Sequence, residues 1–271
     1  MSFGTWVVLA AAIFLSVHGF VPHALFGAHA KKQCALRSSP ESTNGVAASI
    51  WEQLRSALRG TNVYFIGMMG SGKTTVGKEF SSKLGYRFLD TDEIAEFMIE
   101  PATIAEYFAA GNETQFRDLE YQILMEMAQY TRLVLSTGGG IVERNDNWGL
   151  LHHGIVVFLD LPPEDVYARL SANPEQITKR PLLSGPSPLA KLKELSERRM
   201  DKYTQADVRV RVPPAANNEE VAQMACQAIL SHIADNPPKW LEWKKKREAA
   251  MTINQGGNKG SIPSEEENVL Q

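Results

Sequence analysis

Cysteine is nearly absent: Cys34 and Cys226 are the only two in 271 residues, and neither belongs to a C-x-x-C pair or a His/Cys cluster. This excludes a disulfide framework and a zinc centre as organising features, and both thiols are expected to stay reduced. Charge of one sign is also lacking, since 28 Lys and Arg face 31 Asp and Glu for a formal net charge of -3. No global basic field argues for a nucleic-acid partner. Long hydrophobic runs are missing as well: the apolar stretch from Trp6 to Val17 falls short of the roughly 20 residues that cross a bilayer. No repeat of fixed period is evident, which excludes a solenoid. What remains is a hydrophobic content of 44%, ordinary for one soluble α/β domain with tails.

The two ends differ in composition from the middle. Trp6 to Val17 runs into "HGFVP", with small Gly19 available for cleavage, and is read as a signal peptide over residues 1–19; a short hydrophobic anchor is the alternative. Residues 20–49 carry Lys31, Lys32 and Arg37 against Glu41 alone, among Ser, Thr and Ala, a composition like that of a transit peptide. A secreted protein with a linker would also fit. Residues 50–236 form the expected folded domain, and 237–271 a short basic helix followed by a polar tail with too few apolar residues to order itself.

Between the tails, short apolar runs alternate with helical stretches. "NVYFI", "YRFLD", "RLVLS", "GIVVFLDL" and "VRVRV" read as five strands. Helices are expected from Lys73 to Leu84, over Glu93 to Gln129 with breaks near Pro101 and Gly111, from Pro163 to about Ala172, and from Asn218 to about Ile233. This is the order of a parallel sheet covered on both faces, with function at the carboxyl ends of its strands.

"GMMGSGKTT" follows the first strand and opens a helix, so Gly67, Gly72, Lys73 and Thr74 satisfy GxxxxGK[ST] in its required context. The stretch, including Gly70, Ser71 and Thr75, is expected to bind ATP through inward-pointing N–H groups, with Lys73 at the β/γ-phosphates and Thr74 at Mg²⁺. In "FLDTDE", Asp90 and Asp92 lie two apart, so an extended chain would aim both carboxylates at the phosphates, Asp90 at the metal and Asp92 at a substrate hydroxyl. A helix N-cap is the simpler role for Asp92. In "FRDLE", Arg117 and Glu120 share a helix face, either as an oriented pair or as a solvated one. The triplet Gly138, Gly139 and Gly140 sacrifices side-chain packing, as expected where a ligand approaches the backbone. Residues 173–188, with Arg180 among Pro and Gly, have the length of a mobile lid that would bring Arg180 to the transferring phosphoryl group. Arg198 and Arg199 follow in "ERRMDKY", on the helix expected after the lid, where a surface basic pair is the simpler account.

Taken in order, "GMMGSGKTTVGK", "FLDTD", "FRDLE", "STGGGIV", "KRPLL" and "RMDKY" resemble the shikimate kinases, most closely those of plastid type, over roughly Asn62 to Leu230. The resemblance implies an α/β P-loop kinase of the nucleoside-monophosphate-kinase-like kind, with a five-stranded parallel sheet, flanking helices and a mobile lid. It implies ATP-dependent phosphorylation of the 3-hydroxyl of shikimate, with Mg²⁺ as cofactor. In that family's pattern Asp90 and, more weakly, Ser136 serve the metal; Asp92, Arg117, Arg199, Gly139 and Gly140 hold shikimate; and Arg180 is the lid arginine. Arg117 and Arg199 would grip the one carboxylate, Asp92 and the glycine loop the hydroxyls. A monomer and a plastid stromal location are implied, and the succession of signal core, aromatic Phe20 and basic hydroxylated stretch resembles the bipartite leaders of complex algal plastids. The chain departs from the family in "MDK" between Arg199 and Tyr203 and in the lack of an arginine early in the lid. Gluconate kinases and nucleoside monophosphate kinases share the P-loop, and a kinase-like module without catalysis is the alternative from another class.

Overall fold

The structure, a computed structural model, describes residues 48–172, Leu183 and residues 187–237. Residues 1–47 of the leader, with Cys34, most of the lid with Arg180, and residues 238–271 of the C-terminal tail lie outside the described residues. The chain divides into a unit through Leu230 and another from Ser231; of the latter, residues 231–237 are described, and the last helix ends within them at Asp235.

A helix unforeseen from the sequence, α1 (Ile50–Leu58), opens the fold. Ser49 and Glu52 explain it: Ser49 Oγ accepts from the Glu52 N–H at 3.2 Å and Glu52 Oε2 from the Ser49 N–H at 2.8 Å, satisfying two end donors reciprocally. Trp51 then packs edge-on against Phe80, which packs edge-on against Phe65 of the sheet, each pair at 5.3 Å.

The remaining elements are β1 (Val63–Ile66), α2 (Lys73–Leu84), β2 (Arg87–Asp90), α3 (Thr91–Ile99), α4 (Ile104–Ala109) and α5 (Glu113–Met127). There follow β3 (Leu133–Ser136), a 3₁₀ turn (Ile141–Glu143), α6 (Asp146–Leu151), β4 (Ile155–Asp160), α7 (Pro163–Ser171), α8 (Pro188–Tyr203), β5 (Val208–Arg211) and α9 (Asn218–Asp235). The expected strands all form, and the long helical stretch breaks into α3, α4 and α5 near Pro101 and Gly111 as anticipated.

The five strands make one parallel sheet in the order β2-β3-β1-β4-β5. Inner strands β1 and β3 are buried at every position, whereas edge strand β5 buries Val208 and Val210 and exposes Arg209 and Arg211. That difference follows from position, because only a strand covered on both faces must be apolar throughout. The chain passes from β1 out to β2 and returns to place β3 on one side of β1, then β4 on the other. A crevice therefore opens at the carboxyl end of β1, where connections diverge to opposite sides, and the glycine-rich loop occupies it.

Candidate active site

The loop from Gly67 to Gly72 bends into helix α2 because three of its glycines take left-handed backbone angles, φ 144° at Gly67, 76° at Gly70 and 95° at Gly72. A Cβ on Gly67 would also lie 2.7 Å from the Leu159 carbonyl, so both conformation and space demand glycine there. Lys73, the first residue of α2, is buried and donates through Nζ to the Gly67 and Met68 carbonyls at 3.0 and 2.9 Å. Its ammonium is thereby held over the cradle. The Ser71 hydroxyl is buried without a partner, and the Thr75 hydroxyl turns back to the Gly72 carbonyl at 3.0 Å. Arg169 of α7, not singled out from the sequence, lies 3.8 Å from a Cβ placed on Gly72 and donates to the Pro214 carbonyl at 3.5 Å.

Two strand ends and the first turn of α2 deliver a cluster of hard oxygens beside the cradle. Thr74 Oγ1 donates to Asp90 Oδ2 at 2.7 Å and lies 3.4 Å from Ser136 Oγ. Asp90 ends β2 and caps α3: its Oδ1 accepts the Asp92 N–H at 2.9 Å. This corrects two expectations. The chain is not extended through Asp92, which occupies the first turn of α3, and the capping carboxylate is Asp90 rather than Asp92. The helix turn nevertheless brings Asp92 to the cleft, because its carboxylate meets the glycine loop after β3.

That loop is the hub of the acceptor side. A Cβ on Gly138 would sit 2.7 Å from both Asp92 Oδ1 and Glu120 Oε1. One on Gly139 would lie 3.6 Å from Arg199 Nη1, and one on Gly140 would collide with the Arg117 guanidinium, 2.6 Å from Cζ. None of the three glycines has a positive φ, so they are required for space and not for conformation. Four charged side chains from α3, α5 and α8 thus converge where three side chains are missing.

Three of the four are held by an oppositely charged partner. Arg117 donates to Glu120 Oε2 at 2.7 Å and to Glu113 Oε1 at 3.1 Å. Glu120 is 2% exposed, which rejects a solvated helix face for this pair. Arg199 is 1% exposed and pairs with Glu143, so it is not part of a surface pair, unlike Arg198 at 54%. Tyr203 donates to the Gly139 carbonyl at 2.6 Å and stacks on Phe158 at 4.9 Å, tying α8 to the loop.

The charges are strained by enclosure. Burial, then the neighbouring Asp90 and Glu120 carboxylates, push Asp92 up to about 7 against the pull of Lys73. Burial also raises Glu120 despite Arg117 and Arg199 beside it. Burial alone would raise Glu143, but Arg199 and Arg117 hold it below its ordinary value. Several buried polar atoms here have no partner: Arg117 Nε, Glu120 Oε1 and Arg199 Nη1. Desolvated donors and an acceptor left unpaired are costly in a core and suited to a polar ligand carrying both charge and hydroxyls.

Glu113, Glu143, Tyr203 and Arg169 are additions to the residues expected from the sequence. Glu113 lies four residues before Arg117 and was legible by helical spacing. Glu143 and Arg199 are 56 residues apart, and no local pattern links them.

A family model described as shikimate kinase matches residues 69–230. The shikimate kinase of a Synechococcus species is 46% identical over 181 residues, covering 67% of this chain and 94% of that protein. That of a Nostoc species is 45% identical, covering 66% and 96% respectively. Among solved structures, shikimate kinase from Acinetobacter baumannii in complex with shikimate superposes with a TM-score of 0.60 at 34% identity, over 66% of this chain and 97% of that one.

Proposed function

The chain belongs to the shikimate kinase family, ATP-dependent kinases that phosphorylate a hydroxyl of shikimate, and we propose how the residues of this cleft divide that work. The observation that carries the assignment is the convergence of Arg117, Arg199, Asp92 and Glu120 on the Gly138–Gly140 loop, beside the phosphate cradle. Shikimate offers one carboxylate and three hydroxyls, and the unpaired Arg117 Nε and Arg199 Nη1 are donors suited to the first. Asp92, Glu120 Oε1 and the glycine N–H groups suit the hydroxyls.

ATP places its phosphates in the loop from Gly67 to Thr75, with Arg169 on its nucleotide side. Thr74, Asp90 and Ser136 present hydroxyl and carboxylate oxygens, the donor class that Mg²⁺ accepts alongside phosphates, so the residues fit that ion. Bound there, Mg²⁺ would neutralise phosphate charge. In the transfer the 3-hydroxyl oxygen bonds to the γ-phosphorus while the bond to the β-bridging oxygen breaks and ADP leaves. Asp92 orients the hydroxyl and takes its proton; Lys73 and Arg180 balance the charge on the phosphoryl oxygens.

The decisive assay is ADP release with shikimate, gluconate, AMP or no acceptor. Turnover only with shikimate is the expected result; turnover with gluconate or AMP instead would reject the acceptor assignment. Arg117→Ala is expected to raise KM for shikimate about tenfold or more through loss of a charge-assisted contact, with KM for ATP unchanged. An equal loss toward an analogue without the carboxylate would refute that contact.

We further propose delivery to the plastid stroma through the leader of residues 1–49. Cyanobacterial relatives support a plastid descent, and among the described residues no helix is long and apolar enough to cross a membrane. N-terminal sequencing of the protein from its native cells is expected to begin near Ser49, and an intact Met1 would refute processing.

A further inference from the structure

Glu143 closes the 3₁₀ turn that directly follows Gly140, and three cations of one face of α8 converge on it. Its Oε1 accepts from Arg199 Nε at 2.7 Å and from Arg198 Nη2 at 3.0 Å, and lies in ion-pair contact with Arg199 Nη2 at 2.5 Å. Its carbonyl accepts from Lys202 Nζ at 2.6 Å. Both contacts of the Nε–Nη2 edge fall on one carboxylate oxygen, so they hold that edge against Glu143 while the close packing of the 1% exposed side chain limits its rotation. The remaining nitrogen of Arg199, Nη1, is buried without a partner and faces the Gly139 position at 3.6 Å.

We propose that Glu143 is a positioning residue for the acceptor: it holds Arg199 by its Nε–Nη2 edge so that Nη1 is presented to the carboxylate of shikimate. This rests on the acceptor assignment above. Tyr203 stands beside the same guanidinium: its hydroxyl donates to the Gly139 carbonyl and keeps acceptor capacity toward Arg199. Charge balance adds to the arrangement: against the upward push of burial, Arg199 and then Arg117, the two arginines assigned to the substrate anion, hold the Glu143 carboxylate below its ordinary value.

The test uses the full chain carrying Glu143→Gln, with Arg198→Ala as a comparison that removes the exposed cation from the same oxygen. Glu143→Gln is expected to raise KM for shikimate about tenfold, with kcat and KM for ATP within about twofold of the parent, since a contact made equally in the ground and transition states is weakened. The loss should shrink toward an analogue lacking the carboxylate, and Arg198→Ala should leave KM for shikimate within about twofold of the parent. An unchanged KM would overturn the proposal. A lowered KM would also do so, by showing that Glu143 competes with substrate for Arg199. Equal losses with the analogue, or the same effect from Arg198→Ala, would reduce Glu143 to general structure and charge. Parent turnover with shikimate tests the acceptor assignment separately. If the parent binds shikimate without turning it over, the dissociation constant from calorimetry replaces KM with the same expectations; if it does not bind, the proposal falls with the assignment.

Discussion

Asp92→Asn is expected to lower shikimate-dependent ADP release about 10³-fold, the scale of losing a positioned proton acceptor, and to leave ATP affinity within about twofold. Asn keeps the volume and one acceptor but cannot take the proton or carry the charge that orients the hydroxyl. ATP should not notice, because Asp92 meets the glycine loop and Glu120, while the cradle is made by Gly67 to Thr75 and by Asp90 through Thr74. Initial-rate kinetics beside calorimetry with ATP would separate the two effects. A variant with full turnover would remove Asp92 from the chemistry, and one that loses ATP binding would assign it to the cradle. The same substitution is expected to raise the unfolding temperature, since it relieves carboxylate crowding among Asp90, Asp92 and Glu120. Activity bought with local strain has that signature.

The second large effect is expected from a single methyl group. Gly140→Ala should lower kcat/KM for shikimate about 10²-fold, the loss associated with a misplacement on the order of 1 Å, with little change in overall stability. The added Cβ would overlap the Arg117 guanidinium, and Arg117 cannot retreat freely because Glu120 and Glu113 hold it. The backbone itself would not object, as Gly140 has φ -95°, open to any residue. The effect should therefore depend on Arg117: in an Arg117→Ala background the alanine at 140 should cost almost nothing more, a coupling that a double-mutant cycle measures. Additive losses would show that the glycine serves the substrate or the loop instead of the arginine.

Both expectations concern places where sequence spacing pointed to the right residues for incomplete reasons. Asp90 and Asp92 were paired as neighbours on an extended strand, but the strand stops at Asp90 and the next turn is helical, so Asp90 spends one oxygen capping the helix that carries Asp92. The glycine triplet was read as room for a ligand, and it is also room for four protein side chains arriving from three helices. Arg199 looked like half of a surface pair because its helical neighbour Arg198 is one; burial of the first and exposure of the second depend on which way α8 faces. Two short elements escaped the sequence altogether. Helix α1 depends on reciprocal capping by Ser49 and Glu52, and α6 spans only Asp146–Leu151, too short for a periodic signal.

The sequence by itself determined the phosphate loop, the five strands and the family, because each rests on local order: glycines and lysine at set spacing, apolar runs of strand length, motifs in a given succession. Only the tertiary structure decided which charges meet. Sheet order β2-β3-β1-β4-β5 carries the ends of β1, β2 and β3 to one crevice, and the packing of α5 and α8 against it sets Glu120 under Gly138 and Glu143 against Arg199. Contacts between residues 56 positions apart depend on how whole elements pack, and no spacing along the chain encodes them.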